Sequence, residues 1–332
     1  LLAAIGVLGL GNPQLRLAMI QTLIVTLLSL SFVVMAGFVG QVTLAELTFA
    51  GMAAYMVARV AGTDHHGFPW SPLLAIGITT TVATILSIPA VRVRGLHLVI
   101  VTYSGAIALQ EVILRNPKLT GVGDTVTTPM PSLFGWGFGS ASGPRKPGNL
   151  PYKPFGFFVL LVTIACTLVV VNIRRSSSGR RMLAVRANER AAASLGVRVP
   201  STKLYAASIG SFVAACAGML WAYKFISFNN AAFPASDSLI YIGAVFIGGI
   251  AMVSGAYIAG IMASGGVLLE LIGHGQGPAR WQMLVSGAGM VLVTIRFPGG
   301  LASFGPYVRR RWDQVRAVDT AGVRLVGPTG AE

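Results

Sequence analysis

Glu46 is a lone carboxylate in an apolar stretch, and Gln41, Thr43 and Thr48 keep it polar company. An acidic side chain near a bilayer centre costs roughly 2.5–3.5 kcal/mol on insertion scales. It persists there only if it faces a polar cavity, meets a partner charge or holds a proton. These four residues can therefore line a translocation path, with Glu46 meeting a cationic or hydrogen-bond-donating group. A structural hydrogen bond to a neighbouring helix is the other reading, and the residues alone leave both open. No bond-making set accompanies them, and no catalytic residue is assigned. His65 and His66 beside Asp64, and His274, sit in short turns without a Cys or carboxylate array at ligand spacing, so no metal site is expected. There is no Gly-Lys-Ser or Gly-Lys-Thr triplet, hence no phosphate-cradling loop for a nucleotide. Hydrolysis, if any, is expected on another chain or beyond Glu332.

The second chemical feature is charge. Eight of the 25 Lys and Arg fall within residues 174–203: Arg174, Arg175, Arg180, Arg181, Arg186, Arg190, Arg198 and Lys203. Within this stretch Leu183, Ala184, Ala187, Ala191, Ala192 and Leu195 recur at helical spacing. One short amphipathic helix is expected, small-faced on one side and basic on the other, with Asn188-Glu189 at its middle and Gly196 as its stop. A small face permits close docking into a groove on a partner. The docking candidates are Arg180, Arg186, Asn188, Glu189, Ala192, Leu195 and Gly196. The alternative is a surface helix that touches anionic lipid.

These residues sit in a chain of 332 residues that is 54% hydrophobic and only 11% charged, with mean hydropathy +0.72. A soluble domain carries roughly 25% charged residues. Lipid tolerates helices or closed barrels, and the long continuous apolar runs select helices. An all-α, polytopic helical membrane protein is therefore expected. About ten spans are read, at 1–10 (partial), 17–39, 41–61, 71–91, 96–114, 155–173, 204–223, 239–253, 257–272 and 281–297. A polar outer loop covers 115–152. Residues 1–303 form the transmembrane unit and 304–332 a basic tail. The net charge of +15 reads as orientation by the positive-inside rule rather than as nucleic-acid binding. With 174–203 in the cytoplasm, both termini fall there too, and membrane lipid is a partner. Cys166 and Cys216 lie in apolar runs and read as packing residues. Among the 41 glycines, a stripe from Gly243 to Gly266 reads as tight helix packing or as pairing with another membrane subunit. Leu1 is not a Met, so a preceding segment is expected; no cleavable signal is visible.

With the pattern assembled, a resemblance emerges. The stretch SGRRMLAVRANERAAASLGV at 178–197 resembles the coupling segment of the permease subunits of branched-chain amino-acid ABC importers. Further pieces are similar in the same order: Gly40-Gln41-Val42-Thr43-Leu44, Arg92-Val93-Arg94-Gly95-Leu96, Leu119-Thr120-Gly121, Gly248-Gly249 with Gly255 and Gly260, and Phe297-Pro298-Gly299-Gly300-Leu301. The match covers about 17–303. This chain departs from the pattern at Ala45-Glu46, where many members carry Gly-His, and at His97, Asp124 and Ala251. The resemblance implies a second related permease, cytoplasmic ATPases and an extracytoplasmic solute-binding protein as partners. It places ATP and Mg on the ATPases, with no cofactor in this chain, in a bacterial inner membrane. It implies inward movement of a branched-chain amino acid, amide or urea-class solute by alternating access. The rivals are a proton-coupled secondary transporter using Glu46, and a scaffold or receptor that moves nothing.

Overall fold

Pro13 opens the first turn of helix α2 (Pro13–Phe32), and every residue from 18 to 39 is buried. A helix that is apolar all round belongs at the centre of a larger assembly of helices. Its few polar side chains turn back onto its own backbone: Thr26 Oγ1 donates to the Thr22 carbonyl at 2.7 Å, and Ser31 Oγ to the Leu28 carbonyl at 2.7 Å. This computed structural model describes residues 2–10, 12–62, 67–93, 95–114, 125–128, 131–133, 136–137, 153–225, 227–229 and 232–268.

The described elements are otherwise α1 (Leu2–Leu10), α3 (Glu46–Gly62), α4 (Trp70–Ala90), α5 (Leu96–Leu109), α6 (Lys153–Arg175), α7 (Ser177–Ala187), α8 (Glu189–Ser194), α9 (Val199–Phe225), α10 (Ser238–Gly248) and α11 (Val253–Met262). Helix α2 runs on as a π-helical segment Val33–Val39, and α5 as Gln110–Leu114. Short strands β1 (Thr125–Thr127) and β4 (Ser227–Asn229) pair antiparallel, Val126 opposite Phe228. Strands β2 (Ser132–Leu133) and β3 (Trp136–Gly137) form a second small pair.

Helix α9 is the hub. It packs along α3, α4 and α2, and α11 lies on the far side of α2. Close approach needs small residues where backbones meet. At Gly218 of α9 a Cβ would fall inside the Ala50 carbonyl of α3, and at Gly260 of α11 it would fall on Thr26 of α2. The expected glycine stripe thus packs against helices of this same chain. Helices α4 and α6 are peripheral and turn large apolar side chains outward, among them Leu73, Ile85, Leu161 and Leu168. Exposed apolar surface of that extent needs lipid or a partner.

Four segments are long and apolar enough to cross a membrane by length and composition: Pro13–Val39, Trp70–Ala90, Lys153–Arg175 and Val199–Phe225. They agree with the expected spans at 17–39, 71–91, 155–173 and 204–223. Shorter apolar helices cover His97–Val112, Ala235–Gly248 and Val253–Met262. Two expectations need correction. The span expected at 41–61 becomes helical only at Glu46, because Gly40 takes a left-handed conformation (φ 76°) and residues 40–45 leave the helical path. The helix at the span expected at 257–272 begins earlier, at Val253, and breaks after Met262; residues 269–272 lie outside the described residues. The tenth span, the basic tail, Asp64, His65, His66, Asp124, His274 and most of the 115–152 loop lie outside the described residues.

Gly218→Val is expected to destabilise the protein by ~3 kcal/mol, since the added carbons have only backbone to displace. Gly77→Val, on an exposed face of α4 with nothing within 4 Å, is expected to leave stability within ~0.5 kcal/mol. Thermal unfolding of the two purified variants in detergent measures the contrast, and equal melting temperatures would contradict the packing described.

Candidate functional site

Residues 40–45 carry non-helical backbone through the protein interior, which is tolerated where it is buried in protein or lines a cavity. Two ties hold it. Gln41 N donates to the Met35 carbonyl at 3.1 Å, closing the end of the π-helical segment. Leu44 N donates to Thr102 Oγ1 of α5 at 3.4 Å, while that hydroxyl donates to the Val99 carbonyl. The chain then enters α3 with Glu46 in its first turn, where a negative side chain is favoured by the helix dipole.

Glu46 is 2% exposed. Thr43 Oγ1 donates to Glu46 Oε1 at 3.2 Å, and among the described residues Glu46 Oε2 has no hydrogen-bond partner. Gln41, also buried, leaves its Nε2 without one. Both line a cavity of about 200 Å³, together with Thr43, Ser87 and Thr102. An engineered apolar cavity of ~150 Å³ admits benzene, so this space suits a small organic molecule. The remaining wall is apolar, chiefly Met35, Phe49, Leu86, Leu98 and Val101. Leu86 and Val101 are half exposed, so the cavity opens between α4 and α5. On its inner side stands Gly210 of α9, where a Cβ would lie 3.4 Å from Glu46 Oε1 and 3.0 Å from Met35.

The structure thus brings together Gln41, Thr43 and Glu46 of the four path candidates. Thr48 is fully buried and outside the cavity. It points away because it lies two residues on along the helix from Glu46, roughly 200° around the axis. Sequence reasoning missed Ser87, Thr102 and the apolar wall from α4 and α5. Hydroxyls that bond to their own helix backbone leave no trace in an apolar pattern.

The expected single helix at 180–196 is two. Asn188 breaks it with extended backbone (φ −159°, ψ 112°), ending α7 and capping α8; its Oδ1 accepts from Arg190 N at 3.0 Å and Ala191 N at 3.2 Å. Gly196, with φ 81°, stands at the end as a left-handed stop. The face turned into the protein is Met182, Val185 and Ala192, whereas Leu183, Ala187 and Ala191 point outward and Leu195 is 83% exposed. The apolar face expected from spacing is therefore divided between the protein and the surface, because the kink at Asn188 shifts the helical phase.

Two charged side chains tie this segment to the rest. An Arg186 guanidinium N–H donates to the Gly37 carbonyl, and its stem lies beside Gly40. An arginine thus satisfies an orphan carbonyl where α2 ends. Nearby, the Arg174 guanidinium sits over the Phe38 ring, 5.7 Å from its centroid. In α9, Lys203 is 1% exposed and its Nζ contacts Glu189 Oε1 at 2.7 Å. Arg180 reaches only the Arg175 carbonyl, at 3.4 Å, and is exposed.

The opposite end of α9 is closed by aromatic rings. Tyr55 meets Phe228 edge-on at 5.2 Å, Phe228 meets Phe233 at 5.8 Å, and Phe233 meets Trp221 at 5.7 Å. Tyr55 stands nine residues after Glu46, roughly 13.5 Å along α3. The cavity therefore lies toward the charged segment, and the aromatic cluster lies beyond it.

Residues 15–294 match the profile of a family described as branched-chain amino acid transport system, permease component. Two curated relatives are the high-affinity branched-chain amino acid transport system permease proteins LivM of Salmonella typhimurium and of Escherichia coli. The first is 30% identical over 301 residues, covering 85% of this chain and 68% of the relative. The second is 29% identical over 296 residues, covering 84% and 68%. No solved structure gives a significant match.

Glu189 is partly exposed at 26%, unlike Lys203. Glu189→Leu strands a buried ammonium and is expected to lower stability by ~3 kcal/mol. Lys203→Met leaves the less buried of the two side chains without this partner, its Oε2 enclosed and the rest partly exposed, and is expected to cost less than Glu189→Leu. The double variant Glu189→Leu/Lys203→Met should recover most of the loss. Chemical denaturation of the three variants tests the order, and additive losses would show that the two side chains are not a pair.

Proposed function

The chain belongs to the branched-chain amino acid transport permease family, and from that premise we propose that it is the membrane-spanning permease subunit of an ABC importer. Its solute is small, of the branched-chain amino-acid, amide or urea class, and it moves inward by ATP-driven alternating access. A second related permease, cytoplasmic ABC ATPases and an extracytoplasmic solute-binding protein complete the assembly. ATP and Mg belong to the ATPases. The setting is a bacterial inner membrane, crossed about ten times, with both termini and the 174–203 segment in the cytoplasm. The orientation rests on the positive-inside rule.

One observation carries this reading. A cavity lined by Gln41, Thr43 and Glu46 stands directly above a charged segment whose Arg186 is hydrogen-bonded to the Gly37 carbonyl. Force applied at α7–α8 reaches the cavity wall through three residues of backbone. The exposed side chains Leu183, Ala187, Ala191 and Leu195 supply the surface on which an ATPase seats; Leu195 at its rim is 83% exposed among the described residues. The cavity's mouth between α4 and α5 faces the second permease, whose helices complete the path. In this frame the aromatic cluster around Phe228 is the outer seal, and the described conformation is closed outward. The chain contributes binding walls and mechanical coupling and makes no bonds itself.

Proteoliposomes containing the full complex test the energy source. With ATP inside the compartment that holds the ATPases and no ion gradient, uptake of solute delivered by the binding protein is expected. Uptake driven by a proton gradient without ATPase subunits would replace this mechanism with proton coupling through Glu46. Leu195→Asp is expected to leave the permease folded, because the side chain is exposed, and to lower ATP-driven uptake at least tenfold by burying a charge in the proposed contact. Unchanged uptake and ATPase co-purification would remove α8 from the docking surface.

A further inference from the structure

Among the described residues, two that line the cavity each hold one buried polar atom without a partner, and the two atoms are of opposite hydrogen-bonding sense. Glu46 Oε2 can accept, and Gln41 Nε2 can donate. Buried polar groups are nearly always satisfied, and each orphan calls for an explanation. Thr43 holds the other carboxyl oxygen, Oε1, at 3.2 Å, so the unpaired oxygen is oriented rather than free to turn away. Among the described residues no Lys, Arg or His lines the cavity, Glu46 is its only ionisable group, and no cation neutralises it there. The rest of the wall is apolar, with Leu86 and Val101 at the open side and Leu98 and Phe49 buried.

We propose that Glu46 and Gln41 read the polar end of the transported solute: Glu46 Oε2 accepts from an ammonium, and Gln41 Nε2 donates to an oxygen on the adjacent carbon. The inference rests on the cavity being part of the path. A solute that satisfies both atoms carries an amine next to a carboxylate or carboxamide, with a branched alkyl group for the apolar wall. The ammonium and the carboxylate form a charge-assisted hydrogen bond away from water. A carboxylic acid of the same skeleton without the amine offers Glu46 nothing and brings a second negative charge into the same space. A site built to hydrogen-bond a group rejects the analogue that lacks it far more strongly than it rejects a missing methyl. Glu46 is therefore the specificity-determining residue for the amine, and Gln41 is the residue that fixes which way round the solute lies. Ser87 and Thr102, which also line the cavity, keep their hydroxyls on their own helices: Ser87 Oγ donates to the Ala83 carbonyl and Thr102 Oγ1 to that of Val99. They leave the reading to Glu46 and Gln41.

The test is equilibrium binding to the purified permease–ATPase complex, without its solute-binding protein, using three probes of one skeleton. Leucine has both groups, leucinamide keeps the amine and exchanges the carboxylate for an amide, and 4-methyl-2-oxopentanoate lacks the amine. Leucine and leucinamide are expected to bind, and the oxo acid at least tenfold more weakly. Their relative affinities separate an amino-acid permease from an amide permease. Glu46→Gln should weaken leucine at least tenfold and shrink its advantage over the oxo acid, with partial recovery in Glu46→Asp. Gln41→Leu should weaken leucine and leucinamide together. The wild-type comparison needs no variant to fold: an oxo acid that binds as well as leucine, or failure of all three probes, overturns the assignment. ATP-driven uptake on the same preparation separates the two readings. Uptake absent with amine-dependent binding intact removes the transport mechanism and keeps the site. Uptake present with binding indifferent to Glu46 removes the site alone.

Discussion

A stretch of non-helical backbone inside the helix bundle is the constraint from which the rest follows. Residues 40–45 cannot make helical hydrogen bonds, and each unsatisfied amide or carbonyl in an apolar medium costs several kcal/mol. Neighbours must supply the partners: Met35 for Gln41 N, Thr102 for Leu44 N, and Arg186 for the Gly37 carbonyl. Those partners come from α2, α5 and α7, so satisfying the break fixes where three other elements stand. The same break starts α3 at Glu46 and so sets the depth and direction of the one carboxylate in the cavity. A continuous helix through 41–61 would have rotated that residue with the turn and left no cavity to face.

Arg186 is the informative member of this set. Helix C-termini are usually closed by glycine in a left-handed turn or by water. Here Gly40 supplies the turn and a basic side chain from a distant segment supplies a further donor. A lysine at that position would bring charge without the planar, pre-organised donor that reaches the Gly37 carbonyl. The cap thus couples the proposed docking segment to the proposed path by a direct hydrogen bond.

The overall class was legible because it is a bulk property: long apolar runs and few charges leave no other solution in lipid. The four long spans were legible for the same reason, and the family resemblance was carried by the clustered Arg, Asn and Glu of 178–197. Glu46 stood out since a carboxylate in such a run is expensive. What the sequence hid was phase. Gly40 reads as one more small residue in a Gly-rich chain, yet its left-handed geometry moved the start of α3 by five residues. Asn188 reads as a mid-helix polar residue, yet its side chain caps the following helix, and that kink split the apolar face that spacing had assigned to one side. The pairings of Lys203 and Thr102 were hidden for a different reason: each acts across the fold, on Glu189 and on Leu44, and local pattern carries no long-range pairing.

The two ties of the charged segment converge on one side chain. Through Arg186, α7 holds the Gly37–Gly40 turn, six residues before Glu46. Through Glu189, α8 holds Lys203 of α9, and two turns further along α9 Gly210 stands against Glu46 Oε1 and Met35. Interiors packed to crystal density do not absorb displacement locally; they pass it on or switch between discrete arrangements. A movement that carries α7 and α8 together shifts both walls of the cavity in one direction and leaves the Glu46 environment intact. A movement that changes the angle at Asn188 separates the turn from α9 and opens the space between Thr43 and Gly210, which is where Glu46 is held. On the proposed docking and path assignments, the kink at Asn188 is the point at which a push on that surface becomes a change around Glu46.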